Sequence, residues 1–162
     1  MPNEELLRHL THPGLLAVQA ACKMGQEATA EVEKMATAPE LKEHLKKGNE
    51  YSRQWTERLS QVQQTTHGTD EEGNNPIIRA HQEVARRIAE HAKDPKERDL
   101  GLIASGQLAL HYYIAAFGTL ASYVDAMGEK EAASLLKQCA DEAKQGDEGY
   151  TKLAEGMLAS SR

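Results

Sequence analysis

The chain has 162 residues, of which 40% are hydrophobic and only 4% aromatic, and its formal net charge is −6. A chain of this size fits one domain, and its acidic balance argues against general nucleic-acid binding, which needs Lys and Arg to neutralise phosphates. The sequence has no apolar run of about 18 residues and no basic stretch followed by an apolar core near its start, so we expect no membrane span, no secretory signal and a cytoplasmic location.

The first helix is predicted from apolar residues that recur at spacings of three and four. Residues 3–10 are expected to form a short leading helix. Thr11 then caps a second helix, which has Pro13 in its first turn and runs to about Met35. The apolar line of this helix consists of Leu15, Val18, Cys22, Gly25, Thr29, Val32 and Met35.

The next helix is predicted to begin at a Thr-x-x-Glu capping box, formed by Thr37 and Glu40 with Pro39 between them. Its apolar line consists of Leu41, Leu45, Tyr51, Trp55, Leu59 and Val62. Residues 64–75 are rich in Gly, Thr and acidic side chains, which is typical of a loop. We expect the acidic residues 70–72 to be solvated, since they lack the spacing of a calcium-binding loop.

Three further helices complete the predicted fold. One starts at Asn75 and Pro76, and the longest extends from an N-cap at Asp94 to a stop at Gly128. This long helix has about 33 residues and a length of roughly 50 Å. The last helix covers residues 129 to about 157. Without the short leading helix, the five principal helices predict an all-α antiparallel bundle of four to five long helices.

The middle of the long helix is the expected functional region. It carries the polar residues Gln107, His111, Tyr112 and Tyr113. Helix bundles build metal and cofactor sites from inward-facing side chains at that height. The simplest interpretation of His111 is a hydrogen-bonded core histidine, and the tyrosines are expected to pack inside and place their hydroxyls on polar partners.

Four segments carry further information. They are APELKEHL (38–45), KDPKERDLGLIA (93–104), HYYIAAFGTL (111–120) and EAASLLKQCADEAKQGDEGYTKLA (131–154). In sequence and order they resemble the bacterial YciE/YciF ferritin-like family. The resemblance implies that residues 1–162 form a single ferritin-like helical bundle. It also implies a link to bacterial stress responses, two metal ions held among the helices, and a homodimer.

Most of the acidic positions that the resemblance implies are substituted in this chain. The residues that stand in their place are Cys22, Tyr51, Arg79, Leu110 and Tyr113. A dinuclear centre of this kind takes a Glu from each of two helices and a Glu-x-x-His from each of the other two. The substitutions therefore favour a non-catalytic, stress-associated protein that has lost the dimetal centre. We expect it to have no cofactor and a structural or protein-interaction role.

Several polar residues are interpreted as substitutes for metal ligands in the core. They are Tyr51, Arg79, His81 and Tyr113. For His81 an ordinary core position is the simpler interpretation. An arginine is always cationic, so we expect Arg79 to lie where the metal charge would have been, paired with Glu50 or Glu142.

Alternatives with a bound ligand remain open. The candidate metal ligands are Cys22, Glu50, His111 and Glu142. Together with Tyr113 they could form an altered site for iron, manganese or zinc in a metal-binding protein or oxidoreductase. The emptied centre could instead bind a small organic molecule, and an unidentified protein partner is also compatible with the sequence. Without a metal, Cys22 and Cys139 are small hydrophobes, too few for a disulfide framework.

Overall fold

The computed structural model describes residues 2–68 and 73–160, so the acidic residues 70–72, predicted to be solvated, lie outside the described part. Five helices make up the described structure, and the predicted all-α fold is confirmed. They are α1 (Pro2–Met35), α2 (Pro39–Thr65), α3 (Pro76–His91), α4 (Pro95–Ala126) and α5 (Lys130–Ala159).

Four long helices form the bundle, and α3 packs beside it. The pairs α1–α2 and α4–α5 are each joined by a three-residue connection, so each pair forms an antiparallel hairpin. The two hairpins meet because α2 packs on α5 and α1 packs on α4. The shorter α3 lies against α1 and α4. Side chains from all four long helices therefore point toward one central volume.

The core has two parts along the bundle. The larger part surrounds Trp55 and Phe117 and includes residues of all five helices. The smaller part surrounds Leu41 and Tyr150, near the connection between α1 and α2. Burial of these apolar side chains supplies the main driving force for packing. Residues of both parts line one cavity between the helices.

Helix α1 is continuous, so the predicted break between a leading helix and a second start at Thr11 is wrong. Pro13 lies inside α1 and has no N–H to donate to the carbonyl four residues earlier. Thr11 and Leu15, on either side of Pro13, are both buried against the rest of the bundle. Packing on both sides of the proline therefore outweighs the loss of one backbone hydrogen bond.

The start of α2 is capped from another helix, which corrects the predicted Thr37–Glu40 capping box. Ala38 occupies the N-cap position and makes no side-chain cap. Instead, the buried carboxylate of Asp99 on α4 accepts hydrogen bonds from the Thr37 and Ala38 amides at 2.8 and 2.7 Å. It also accepts the Thr37 hydroxyl at 2.6 Å. Asp99 therefore fixes the α1–α2 connection against α4.

The ends of α3 and α4 follow the sequence signals. Asn75 caps α3 by accepting the Ile78 amide at 3.0 Å, and Asp94 caps α4 by accepting the Glu97 amide at 2.9 Å. Gly128, with φ of 90°, follows the end of α4 and adopts a backbone conformation that favours glycine. These local signals were sufficient to predict where α3 and α4 begin and where α4 ends.

Helix α4 is the one described helix that is long and apolar enough to cross a membrane by length and composition. This is weak evidence for a span, because the core helix of a soluble bundle has the same character. In this fold α4 contacts α1, α3 and α5, and its residues Tyr113, Phe117 and Leu120 are buried in the shared core.

Candidate functional site

A partly buried ion pair lies between α2 and α5. The guanidinium of Arg58 donates to Glu142 Oε2 at 2.6 Å, and the two side chains are only 16% and 13% exposed. The indole N–H of Trp55 donates to the same oxygen at 2.8 Å. The hydrogen bond to Glu142 raises the pKa of Arg58 above its already high ordinary value. Arg58 therefore stays cationic, and the two hydrogen bonds to Glu142 Oε2 hold the pair in a fixed position.

An aromatic cluster extends inward from this pair. The rings of Tyr113 and Phe117 lie 5.2 and 5.3 Å from Trp55, and Tyr51 stacks on the other side at 6.1 Å. The hydroxyl of Tyr113 donates to the Ala21 carbonyl at 2.8 Å, and burial raises the pKa of this phenol well above its ordinary value. These rings stabilise the centre by packing, and Tyr113 stays neutral.

Both cysteines are free and buried near this cluster. Arg58 approaches Cys139 Sγ at 3.8 Å, yet burial raises the pKa of Cys139 to about 11. Burial likewise raises the pKa of Cys22 well above its ordinary value. A thiol must lose its proton to become a nucleophile or a metal ligand. The structure therefore agrees with the interpretation of both residues as small hydrophobes.

A cavity of about 150 Å³ lies between the helices at the level of the ion pair. All five helices contribute to its wall, which is mostly apolar. Its polar lining includes the hydroxyl-bearing residues Ser52, Ser105 and Tyr150 on three different helices. Gly106 permits the close approach of Tyr150, since a Cβ at that position would lie 2.7 Å from the phenol ring.

The predicted metal ligands do not converge. Cys22 is fully buried and Glu142 is bound to Arg58. Glu50 is exposed and pairs with Arg53 at 2.6 Å on the outer face of α2. The His111 side chain is 66% exposed and faces Asp147 at 3.3 Å. The interpretation of His111 as a core histidine is therefore wrong, because its position on α4 turns it to the surface beside α5.

The residues predicted as polar substitutes for metal ligands lie in different environments. Tyr113 is buried as expected, whereas Tyr51 and His81 are half-buried and line the central cavity. Arg79 is exposed and donates to Asn74 at 3.1 Å, so its predicted pairing with Glu50 or Glu142 is wrong. It projects from the outer face of α3, away from α2 and α5.

Arg58 is the interior arginine that the sequence analysis missed. A signal was present, because Arg58 lies three residues after Trp55 and four before Val62, on the edge of the apolar line of α2. A charged residue on the margin of an apolar face, next to the single tryptophan, is a candidate for a buried partner. Glu142, retained on α5, supplies that partner.

The donors at the bundle centre do not fit a pair of metal ions. Within residues 2–68 and 73–160, no three His, Cys, Asp or Glu side chains are placed to hold one ion. Among the described residues, Glu142 is the acidic one that lines the cavity, and its Oε2 already accepts from Arg58 and Trp55. A dinuclear centre needs several carboxylates to balance its charge.

Comparison with known proteins identifies the relatives of this fold. The family described as Domain of unknown function (DUF892) matches residues 7–161. A stretch of 72 residues is 40% identical to Protein YciF of Escherichia coli (strain K12). This match covers 44% of the chain and 43% of that protein, so it spans less than half of the relative's length.

Solved structures give more complete matches. The crystal structure of the E. coli stress protein YciF matches with a TM-score of 0.91 and 26% identity, covering 94% of this chain and 97% of that chain. YcfI from Rhodopseudomonas palustris matches with a TM-score of 0.84 and 25% identity, over 90% and 92% of the two chains. A Xanthomonas campestris pv. campestris protein, 16% identical with a TM-score of 0.75 over 95% of each chain, shares the fold alone. The predicted ferritin-like bundle is confirmed.

Proposed function

This chain belongs to the DUF892 family, and from that premise we propose that it is a non-catalytic, YciF-like protein of bacterial stress physiology. In this proposal the dimetal centre has been lost and the bundle acts in the cytoplasm through structural or protein-interaction contacts. The relative from R. palustris, provisionally designated a structural protein, is compatible with such a role.

The observation that carries the proposal is the Arg58–Glu142 ion pair. A guanidinium cannot be deprotonated in a protein, so it keeps a permanent positive charge beside the one acidic side chain that lines the described cavity. A divalent cation approaching Glu142 would be repelled by Arg58. It would also have to break two short hydrogen bonds, from Arg58 and from Trp55. Both effects oppose metal binding at the place where a ferritin-like bundle would provide it.

Metal uptake tests this proposal directly. The full chain, purified without chelator, is incubated anaerobically with Fe²⁺, Mn²⁺ or Zn²⁺, desalted, and analysed for bound metal by mass spectrometry. We expect well under one ion per chain and no shift of the melting temperature. Two tightly bound ions per chain would overturn the proposal and favour the alternative of a metal-binding protein or oxidoreductase.

A matched variant separates the contribution of the arginine. Arg58→Glu places a second carboxylate beside Glu142, whereas Arg53→Glu makes the same charge change on the exposed face of the same helix. If the guanidinium excludes cations, uptake of Zn²⁺ or Mn²⁺ should rise in the Arg58 variant alone. Equal uptake by the two variants would mean that the interior arginine does not control metal binding.

A homodimer is the partner that we propose. Apolar side chains remain exposed on α3 and α4, namely Ile77, Val84 and Leu108. A second copy of the chain could cover such residues. Light scattering after size exclusion should give twice the mass of the chain, 17.8 kDa, and Val84→Lys should weaken the dimer if α3 contributes. A monomer at micromolar concentration would rule the dimer out.

A further inference from the structure

We propose that the central cavity binds a small, uncharged organic molecule of the phenol class, meaning a single six-membered ring with one hydrogen-bonding group. Such a site goes beyond the structural role described above. It needs no metal, although Glu142, a predicted metal ligand, lines the same cavity. Four features of the cavity lead to this ligand class.

The first feature is size. The cavity measures about 150 Å³, and an apolar protein cavity of roughly this volume holds one benzene ring. Close packing is the rule inside proteins, where voids larger than a water molecule are few. The cavity opens to solvent at a rim that includes the exposed Lys47, so a small molecule can reach it from outside.

The second feature is the apolar wall. Aliphatic side chains from several helices, including Leu45, Ile78, Leu102 and Leu110, surround the cavity, and Trp55 adds an aromatic surface. Ring faces pack well against such side chains, and burial of apolar ligand surface is favourable. A ligand made mainly of carbon therefore matches the wall better than a sugar or a phosphate.

The third feature is a set of buried hydroxyl groups. Ser52 and Ser105 are each 5% exposed and Tyr150 is 7% exposed, and all three line the cavity. None of the three hydroxyl oxygens makes a hydrogen bond to another described residue, whereas the neighbouring Tyr113 hydroxyl is paired with Ala21. Each of these three hydroxyls, on three different helices, is thus a candidate donor or acceptor for the polar atom of a ligand.

The fourth feature is that most of the cavity lining carries no unpaired charge. Burial lowers the pKa of His44 and raises the pKa of Tyr150, so both side chains stay neutral at pH 7. The one acidic side chain of the described lining, Glu142, is already neutralised by Arg58. Apart from Lys47, which is exposed at the rim, little charge is left in the described lining to balance an anionic or cationic ligand, and burying an unpaired charge is unfavourable. A neutral ligand is therefore favoured.

The test is a titration of the full chain with phenol, toluene and benzoate near pH 7. Trp55 is the only tryptophan and it lines the cavity, so its fluorescence reports occupancy. We expect saturable binding of phenol and at least about tenfold weaker binding of benzoate, whose carboxylate is charged at this pH. No saturable phenol signal, which would mean that the cavity holds only water, would overturn the proposal.

Hydroxyl-deleting variants test the polar part of the site. They are Ser52→Ala, Ser105→Ala and Tyr150→Phe. At least one should weaken phenol binding by about fivefold, the value of one ordinary hydrogen bond, and leave toluene binding within about twofold. If all three variants bind phenol as the wild type does, the hydroxyls do not select the ligand and the proposal fails.

A cavity-filling variant tests the location. A Cβ added at Gly48, which lines the cavity, meets no atom within 4 Å, and the same is true at Gly118, which does not line it. Gly48→Leu should abolish phenol binding, and the matched Gly118→Leu should preserve it. Backbone amide shifts in the wild-type spectrum provide a second measurement that needs no variant. Shifts confined to cavity residues such as Gly106 support the proposal, and shifts elsewhere contradict it.

Discussion

Removal of the interior arginine is the sharpest test of what holds the bundle centre together. In Arg58→Met the aliphatic part of the side chain is kept, but Glu142 loses its ionic partner. The carboxylate then remains buried with only the Trp55 indole at 2.8 Å and Gln138 at 3.3 Å as donors. An uncompensated negative charge in this position should destabilise the folded state.

The expected size follows from the burial of the pair. Breaking a fully buried pair by removing one partner costs about 3–5 kcal/mol. Here the two side chains keep 16% and 13% of their exposure, and Glu142 keeps two donors. We therefore expect the lower end, about 3 kcal/mol in the free energy of unfolding, which corresponds to about 6–12 °C in melting temperature for a chain of this size.

A control pair on the same helix isolates the effect of burial. Arg53 and Glu50 are also 2.6 Å apart, but their side chains are 59% and 54% exposed. Exposed pairs of this kind contribute little, so Arg53→Met should cost no more than about 0.5 kcal/mol. Urea unfolding followed by circular dichroism measures both variants. Equal losses in the two variants would refute the reasoning, because the distance is the same but the first pair is exposed within α2 and the second is partly buried between α2 and α5.

A double variant completes a double-mutant cycle, which measures the energetic coupling between Arg58 and Glu142. Arg58→Met combined with Glu142→Gln removes both charges and leaves an amide oxygen that can accept from Trp55. We expect the double variant to lose at least about 1.5 kcal/mol less than the sum of the single losses, because neither charge is left unpaired. Simple additivity would show that the two side chains do not stabilise each other.

Four further substitutions, one of them a control, test other parts of the fold. Asp99→Ala removes the acceptor of three hydrogen bonds at the start of α2 and should cost about 2–4 kcal/mol in urea unfolding. Gly106→Ala places a methyl group against the Tyr150 ring and should cost about 1–3 kcal/mol, whereas Gly118→Ala, which meets open space, should stabilise by about 0.5–1 kcal/mol in the same assay. Burial lowers the pKa of His44 below 6.5, so the unfolded chain takes up the proton first as pH falls through 6.5 and stability decreases. His44→Gln should flatten this decrease when the free energy of unfolding is compared between pH 7.5 and 5.5.

The fold could be predicted from the sequence because its signals are local and repeated. Apolar spacing identified the helices, and the caps at Asn75 and Asp94 act within one turn. The start of α2 could not be predicted in detail, because its cap comes from Asp99, 62 positions after Thr37. The sequence analysis also did not predict that α1 continues through Pro13, because this continuity depends on tertiary packing.

The functional site was harder to predict than the fold, because it depends on the direction in which each side chain points. His111 and Tyr113 are two residues apart on α4, yet one faces solvent and the other is buried. Similarly, Arg79 and Arg58 differ in burial, although each lies near apolar residues in the sequence. Helical spacing fixes which residues share a face, but only the packing of neighbouring helices shows which face looks inward.

Asp99 has a consequence for how the molecule can be divided. A fragment that stops before α4 contains both helices of the first hairpin but lacks the acceptor for the amides where that hairpin turns. During synthesis the same turn emerges well before the residue that secures it. The amino-terminal half is thus not a self-sufficient unit, and two halves produced separately should regain a protected turn only when they are mixed.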